Sequence, residues 1–187
     1  MRILLAALAG AVASFAVSAV LHMATPLGSM GLRSLPDEAP VAEALRAHVR
    51  ESGAYMVPGM DMSHQPSAAE QKAWEEKATR GPYGLLIVTP QGGGGMSGTQ
   101  LGLEFLTVLL SALIGAFILS FVRGGYLLRA SIVALLAVFT FLSVSVSHWI
   151  WYRFPIDFVA AEAVMEVVAW LAAGLAMAKI VRPRALA

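Results

Sequence analysis

Four long apolar runs constrain this chain more than any other feature of its sequence. They cover about residues 3–21, 101–122, 127–147 and 156–181. A helix needs roughly 20 apolar residues to cross a bilayer, because each residue advances it by about 1.5 Å. Backbone groups in lipid must be hydrogen-bonded within their own segment, so each run is expected to be helical. The sequence therefore predicts an all-α membrane protein with four transmembrane helices.

The composition supports a membrane protein and excludes several other classes. Hydrophobic residues make up 58% of the 187 residues and charged residues 13%, against about 45–50% and about 25% in soluble domains. A net charge of +1 gives no basic field for nucleic acid, so no nucleic-acid partner is predicted. The chain has no cysteine, which excludes disulfides, thiolate metal sites and cysteine nucleophiles.

The apolar runs divide the chain into three segments. Residues 1–23 contain the first span, and its apolar part is longer than the about 7–15 residues of a signal peptide. We therefore expect a retained anchor, although Val17-Ser18-Ala19 also fits the cleavage site of a signal peptide. Residues 24–100 are polar and rich in proline and glycine, and residues 101–187 hold the remaining three spans.

The distribution of lysine and arginine predicts the orientation of the spans, because short cytoplasmic loops carry an excess of both. Arg123 and Arg129 flank the link between the second and third spans, and Arg2 precedes the first. The basic residues that close the fourth span are Lys179, Arg182 and Arg184. The other short connection carries only Arg153. Both termini are therefore predicted to be cytoplasmic, and residues 24–100 extracytoplasmic.

One helix is clearly encoded in the extracytoplasmic segment. In "SAAEQKAWEEKATRGP", Ser67 stands three residues before Glu70, which is the capping-box pattern of a helix start. Gly81-Pro82 is typical of a helix end. A second helix is predicted at about residues 41–51, because apolar residues recur there every four positions.

Two short apolar runs in the same segment are predicted to be strands. They are "AYMV" at residues 54–57 and "YGLLIVT" at residues 83–89, and they could pair across the intervening helix. With so few apolar side chains, the segment cannot bury a robust core alone. We expect a small α+β cap between the first two spans that leans on the spans or on another subunit. The glycine-rich residues 91–100 lack a GK[ST] signature and are predicted to be a flexible tether.

A methionine-rich stretch, "MVPGMDMSH", lies in the predicted cap. Met56, Met60, Met62 and His64 offer thioether and imidazole groups, which are ligands that copper(I) accepts. The same stretch contains Pro58-Gly59, a pair typical of a turn. Soft-metal capture and a turn-rich packing segment are therefore the alternatives, and no cofactor is predicted as the first choice.

Several ionisable residues are expected at or below the outer ends of the spans. Glu162 and Glu166 lie four apart on one face of the fourth helix, and charged groups inside a span usually face a bundle interior or a cavity. The predicted polar intramembrane pocket comprises His22, Glu104, His148, Arg153, Asp157, Glu162 and Glu166. Three alternatives remain open for it. The groups could pair structurally or handle a proton or small ligand. They could also form an imidazole–carboxylate metal site built from His22, His148, Glu162 and Glu166.

Small residues are frequent on two of the predicted spans. The first carries Ala6, Ala9, Gly10, Ala13 and Ala16, and the fourth carries Ala172, Ala173, Gly174, Ala176 and Ala178. Such residues let helix backbones approach closely. The first span is therefore expected to pack tightly on the fourth span or on a partner.

Three phrases of the sequence carry a resemblance to a known family. They are "YMVPGM" at residues 55–60, "KATRGPYGLLIVTPQG" at 77–92 and "WYRFPIDF" at 151–158. In these phrases and in its layout, the chain resembles an uncharacterised family of bacterial four-span inner-membrane proteins. The resemblance implies the four-span topology and a bacterial inner-membrane location, but no activity or catalytic residue.

The sequence predicts a non-enzymatic protein. No nucleophile–base pair or nucleotide motif stands out, whereas the small-residue faces and the thin cap suit burial against partners. The first hypothesis is an accessory or assembly subunit of a larger cell-envelope membrane complex, with the bilayer and other membrane subunits as its partners. The alternative is a protein that handles a small ligand, a proton or a copper-type metal through the Glu/His pocket or the methionine-rich loop.

Overall fold

A computed structural model describes residues 1–183, so Arg184 lies outside the described residues. The helices are α1 (Arg2–Ala24), α2 (Glu38–His48), α3 (Ala68–Arg80), α4 (Gly98–Leu119), α5 (Tyr126–Thr140), α6 (Val146–Tyr152) and α7 (Ile156–Ile180), with a 3-10 turn at Pro26–Ser29 and a π-helical segment at Phe141–Ser145. The strands are β1 (Gly53–Val57) and β2 (Gly84–Val88). The chain forms two compact units, which are described separately. The helical unit contains residues 1–32, 96–150 and the chain from Phe154 onward, and the small unit contains residues 33–95 and 151–153.

Four helical stretches are long and apolar enough to cross a membrane. They are Arg2–Ala24, Gly98–Leu119, Tyr126–Tyr152 and Ile156–Ile180, which confirms the predicted number of such helices. The second begins three residues before its predicted start because Ser97 caps it. The Ser97 hydroxyl accepts a hydrogen bond from the backbone N–H of Gln100, and the Gln100 side chain accepts one from the Ser97 N–H. This capping box satisfies two donors that would otherwise lack partners.

The helical unit is organised around α1 and α7. Helix α1 packs along α4 on one side and along α7 on the other, and α7 also packs along α5, whereas α4 and α5 touch only slightly. The core is built mainly from small residues: Ala6, Ala7, Ala11, Ala112, Ala116, Leu119, Val133, Ala173, Met177 and Val181. The predicted close packing of the first span on the fourth is confirmed. Small side chains permit that approach.

The C-terminal end of α7 is held by a side chain from α5. Arg129 is only 6% exposed. Its Nη1 donates to the Ala178 carbonyl oxygen at 3.1 Å and its Nη2 to the Val181 carbonyl oxygen at 2.8 Å. The last carbonyls of a helix have no partner within the helix and carry its negative dipole end, so a guanidinium is well suited to this position. In the sequence, Arg129 served only as an orientation signal.

The third apolar stretch is not a uniform α-helix. Its Phe141–Ser145 segment is π-helical, and Ser143 Oγ there donates to the Phe139 carbonyl oxygen at 2.9 Å. A π-helical turn is wider than an α-helical turn and is often found at functional sites. The apolar pattern predicted a plain helix over residues 127–147, because periodicity does not register one inserted residue.

The small unit has a two-stranded antiparallel sheet with α3 in the connection. Gly53 pairs with Val88 and Val57 with Gly84, so the two predicted strands and their pairing are confirmed. Helix α3 begins with the predicted Ser67–Glu70 capping box. The other predicted helix, at residues 41–51, is observed at Glu38–His48. It starts earlier because Pro40 fits a first helical turn, and it ends earlier because Val49 is extended.

Candidate functional site

A groove lies in the helical unit where α4 and α5 diverge. Its volume is about 400 Å³, and its α7 side, here called the floor, consists of Glu166, which is exposed, and Trp170, which is half-buried. The lining residues are Glu104, Thr107, Val108, Ser111, Ile114, Gly115 and Ile118 of α4, Val133, Leu136, Ala137, Phe139 and Thr140 of α5, and Glu166 and Trp170 of α7. The groove follows from the packing order, because α4 and α5 are joined through α1 and α7 rather than to each other.

The α4 wall of the groove is a single helical face. Glu104, Thr107, Ser111, Gly115 and Ile118 follow each other at intervals of three or four residues, which places them on one side of a helix. Polar groups therefore occupy the N-terminal half of this wall and apolar groups the C-terminal half.

The floor of the groove combines a carboxylate with an indole. Trp170 Nε1 donates a hydrogen bond to Glu166 Oε2 at 3.1 Å. The two residues lie one helical turn apart on α7, so the geometry is set by the helix itself. Glu166 shares this groove with Glu104 and the adjoining cavity with His22 and Glu162.

A second, smaller cavity adjoins the other side of Glu166. It measures about 190 Å³ and is lined by His22, Ala137, Thr140, Phe141, Val144, Ser145, Glu162, Met165 and Glu166. Several of these residues belong to the π-helical segment, whose wider turn forms part of the wall. The orientation of the His22 ring is set by a contact within α1, where its Nδ1 lies 2.9 Å from the Ser18 carbonyl oxygen.

The predicted polar pocket divides into two groups in the structure. Four of its residues line the two adjoining cavities: His22, Glu104, Glu162 and Glu166. Neither cavity is lined by His148 or Asp157. The His148 ring stacks on Phe154 with centroids 5.4 Å apart, and Asp157 Oδ1 accepts a hydrogen bond from the Phe158 N–H at 3.0 Å.

The remaining predicted pocket residue, Arg153, belongs to the small unit. It lines a pocket of about 520 Å³ together with Trp74, Glu75, Ala78, Thr79 and Tyr83. Its backbone has a φ of 62°, a left-handed conformation that is uncommon for residues other than glycine. Such a residue is typical of a tight connection, and here it joins α6 to α7.

Within residues 1–183, no group of three or more His, Asp or Glu side chains is arranged to hold a metal ion. In the hypothetical imidazole–carboxylate metal site, His22, Glu162 and Glu166 share the smaller cavity, whereas His148 stacks on an aromatic ring.

The methionine-rich stretch packs against α3. Trp74 Nε1 donates to the Pro58 carbonyl oxygen at 2.9 Å, and Met60 lines a cavity of about 190 Å³ beside Trp74. Met62 is 78% exposed, and Met56 lies in β1 opposite Leu85. The methionines therefore have different neighbours. These contacts favour a turn packed on a helix over a soft-metal site.

His64, the fourth residue of the candidate copper site, lies between two carboxylates. Its Nε2 is 3.3 Å from Glu70 Oε1, and its Nδ1 is 3.8 Å from Asp61 Oδ2. Hydrogen bonds from the Ser67 hydroxyl and N–H, followed by one from His64, hold the pKa of Glu70 below its usual value. Hydrogen bonds from Ser63 likewise lower the pKa of Asp61. The two carboxylates are exposed, with side-chain exposures of 67% for Asp61 and 55% for Glu70, so the cluster fixes local geometry rather than burying charge.

Replacing Ser67 with alanine is expected to destabilise the first turn of α3 by about 0.5–2 kcal/mol, because the capping hydroxyl is lost. Acid should produce part of the same effect in the unaltered chain. Since the folded pKa of Glu70 is depressed, its contribution is present above its unfolded pKa of about 4.5. That contribution is lost as the pH falls through the lower folded value.

Hydrogen exchange of the α3 amides, corrected for intrinsic rates, measures this prediction. The matched control is Ser52→Ala, an exposed serine outside the helices, which should leave α3 exchange unchanged. Equal α3 protection in the Ser67 variant and the unaltered chain would contradict the assignment.

Sequence reasoning missed the neutral polar groups of the groove. Thr107, Ser111, Thr140 and Trp170 were not among the predicted site residues. A signal for Trp170 was present, because it stands four residues after Glu166 on the face already identified. The α5 residues gave no such signal, because the rotation of α5 about its own axis is set by packing on α7.

The lining of the groove favours binding a positively charged group. It contains two carboxylates, three hydroxyls and an indole among apolar side chains, and none of its lining residues within the described chain is basic.

No known protein family, curated protein or solved structure matches the chain.

Proposed function

We propose that this protein is a non-enzymatic accessory or assembly subunit of a larger membrane complex in the cell envelope. The observation that carries the proposal is the exposure of the small unit. Of residues 33–95 and 151–153, all of which the structure describes, none is buried. A folded unit of this size ordinarily buries apolar side chains, so a surface supplied by another subunit would complete it.

The sheet of the small unit supports the same proposal. Two strands alone are marginally stable in water, and an unpaired strand edge is a template for another chain. Ile87 of β2 is 76% exposed and Leu86 is 41% exposed. Helix α3 is attached through Trp74, which meets Tyr83 edge-on with ring centroids 6.4 Å apart. A partner that covers β2 would bury apolar area that the chain leaves exposed.

The proposed location is a bacterial inner membrane, with both termini cytoplasmic and residues 24–100 extracytoplasmic. The orientation is supported by the basic residues at the predicted cytoplasmic ends, and the bacterial location by the resemblance carried by residues 55–60, 77–92 and 151–158. Arg129, near the start of α5, donates a hydrogen bond to the Val181 carbonyl oxygen at the C-terminal end of α7. The basic start of α5 and the basic end of α7 therefore lie on the same side of the helical unit. A reporter that works only in the cytoplasm should be active when fused after residue 187. A reporter that works only outside the cytoplasm should be active when inserted at the exposed residues 92–95. The reverse pattern would overturn the orientation.

Co-purification in mild detergent tests the accessory role. We expect a stoichiometric membrane partner to elute with the tagged full chain and to cross-link to the small unit. Ile87→Lys should reduce the yield of that partner at least tenfold, because a charge on the exposed face of β2 opposes burial. The matched control is Ala47→Lys, at an exposed position near the end of α2, where a basic residue suits the helix dipole.

Two results would count against the accessory role. One is a chain that elutes alone even after cross-linking in the intact membrane. The other is a partner retained equally by the Ile87 and Ala47 variants. Glu166→Gln should leave the yield of the complex unchanged, because Glu166 lies in the helical unit.

A second candidate function, the handling of a small ligand within the membrane, is supported by the groove. Its volume of about 400 Å³ falls in the range of about 300–1,000 Å³ typical of small-molecule sites. Mostly apolar walls with a few convergent polar groups are also typical of such sites. Saturable binding of a small molecule that is lost when the groove is filled, as in Ala137→Phe, would support this function.

A further inference from the structure

We propose that the groove binds an amphiphilic organic cation, that is, an ammonium or comparable cationic centre carried on an apolar body. This inference rests on the second candidate function and names the ligand class for the same groove. The cationic centre would lie at Glu166 and Trp170 on the floor. The apolar body would extend along the C-terminal half of the α4 wall.

The charge of the lining selects a cation. Glu104 and Glu166 both line the groove, and none of its lining residues is basic. A carboxyl group in a low-dielectric site either takes up a proton or is compensated by a positive group. A cationic ligand supplies that charge, whereas an anionic ligand of the same shape would add a like charge to a site that already holds two carboxylates.

The Trp170 indole on the floor adds a second interaction that also favours a cation. Trp170 is fixed beside the carboxylate by its hydrogen bond to Glu166 Oε2 at 3.1 Å. The face of an indole attracts a cation through its quadrupole, and tryptophan is the most effective aromatic residue in this role. A carboxylate and an indole side by side can therefore bind a cationic centre without any metal ligand.

The size of the groove favours a small molecule over a protein segment. A transmembrane helix about 10 Å in diameter and about 30 Å long occupies roughly 2,400 Å³, which is several times the groove's 400 Å³. Val108, Ile118 and Leu136 offer apolar wall for the body of a ligand. The occupant is therefore a compact molecule with an apolar part.

The depth of Glu166 distinguishes a diffusible cation from a lipid headgroup. Glu166 stands nine residues after Asp157 along α7, which corresponds to about 13 Å at 1.5 Å per residue. Asp157 lies in the first turn of α7, which is expected at the outer boundary of the membrane. The hydrocarbon core of a bilayer is about 30 Å thick, so Glu166 would lie near its middle. The ammonium group of a phospholipid stays at the interface. A freely diffusing amphiphilic cation can reach this depth.

Two probes of matched shape and opposite charge test the proposal on the purified full chain in phosphatidylglycerol nanodiscs. Tetraphenylphosphonium should bind saturably with one site per chain, and tetraphenylborate should show only non-saturable partitioning. Glu166→Gln should weaken tetraphenylphosphonium binding at least tenfold, and Trp170→Leu at least threefold. Glu162→Gln, which alters the neighbouring cavity but not the groove lining, should change it less than threefold. Each variant is compared only if it elutes as a single species with an unchanged melting temperature.

The outcomes separate this inference from the function on which it rests. If neutral triphenylphosphine oxide binds saturably and Ala137→Phe abolishes its binding, while tetraphenylphosphonium does not bind saturably, the groove binds ligands but the cationic class is wrong. If no probe binds saturably, ligand handling itself is overturned. If both ions bind alike and Glu166→Gln has no effect, binding is unrelated to the groove and the inference fails. If phosphatidylethanolamine abolishes tetraphenylphosphonium binding, the occupant is a lipid and the diffusible cation is excluded.

Discussion

Arg129→Ala is expected to lower the free energy of unfolding of the helical unit by about 2–4 kcal/mol. The substitution removes two hydrogen bonds from a charged donor, each of which contributes about 1.5–3 kcal/mol, and leaves two carbonyl groups without that donor. Arg129 is 94% shielded from solvent, with 6% exposed, so water cannot readily replace it. The Ala178 and Val181 carbonyl oxygens would also lose the positive charge that compensates the end of the helix dipole.

Two further arginine variants make the Arg129 measurement specific. Unfolding in a mixed-micelle titration, followed by circular dichroism, gives the free-energy difference. Arg129→Lys should recover only part of the loss, because an ammonium cannot reproduce the planar fork that reaches two carbonyls at once. Arg182→Ala, an exposed arginine just beyond α7, should change stability by less than about 0.5 kcal/mol. If Arg129→Ala is as stable as Arg182→Ala, the two hydrogen bonds do not hold α7 in place.

The elements of this fold that could be predicted are those encoded by local pattern. The apolar runs specified four long helices because length and hydropathy are properties of each segment alone. The start of α3 was predictable because Ser67 and Glu70 interact across a single turn. The order of packing was not predictable in the same way. Which helices lie side by side depends on small residues meeting across elements, and the divergence of α4 from α5 has no local signal.

The candidate site was predictable in position along the helices but not in direction around them. Glu162 and Glu166 were placed on one face by their spacing, and both line a cavity. His148 lies near the end of the third apolar stretch and Asp157 lies in the first turn of the fourth. Neither residue lines a cavity with Glu162 and Glu166, because each makes a different local contact. The position along a helix follows from counting residues, whereas the side on which a residue lies depends on the rotation of that helix against its neighbours. That rotation is set by packing.

Gly174→Ala is the substitution expected to disturb helix packing most directly, by about 1–3 kcal/mol. A Cβ atom at Gly174 would lie 2.4 Å from the Ala130 carbonyl oxygen and 3.0 Å from Val133 Cβ. The nearer atom belongs to the backbone of α5, so it cannot rotate away, and the two helices would have to separate. Arg129 bridges the same pair of helices, so separation would also lengthen its hydrogen bonds. The loss in a double variant with Arg129→Ala should therefore be smaller than the sum of the two single losses.

Glycines on three helices allow this prediction to be tested as a ranking. A Cβ at Gly10 would lie 2.7 Å from Met177 Cγ, but a methionine side chain can change rotamer to accommodate it. A Cβ at Gly115 would lie 3.4 Å from Met177 Cε, an ordinary contact, and alanine there should also favour the helix. The loss of stability in the same unfolding titration should therefore be largest for Gly174→Ala, intermediate for Gly10→Ala and near zero for Gly115→Ala. A Gly174→Ala variant as stable as Gly115→Ala would show that α5 and α7 do not approach as closely as these contacts require.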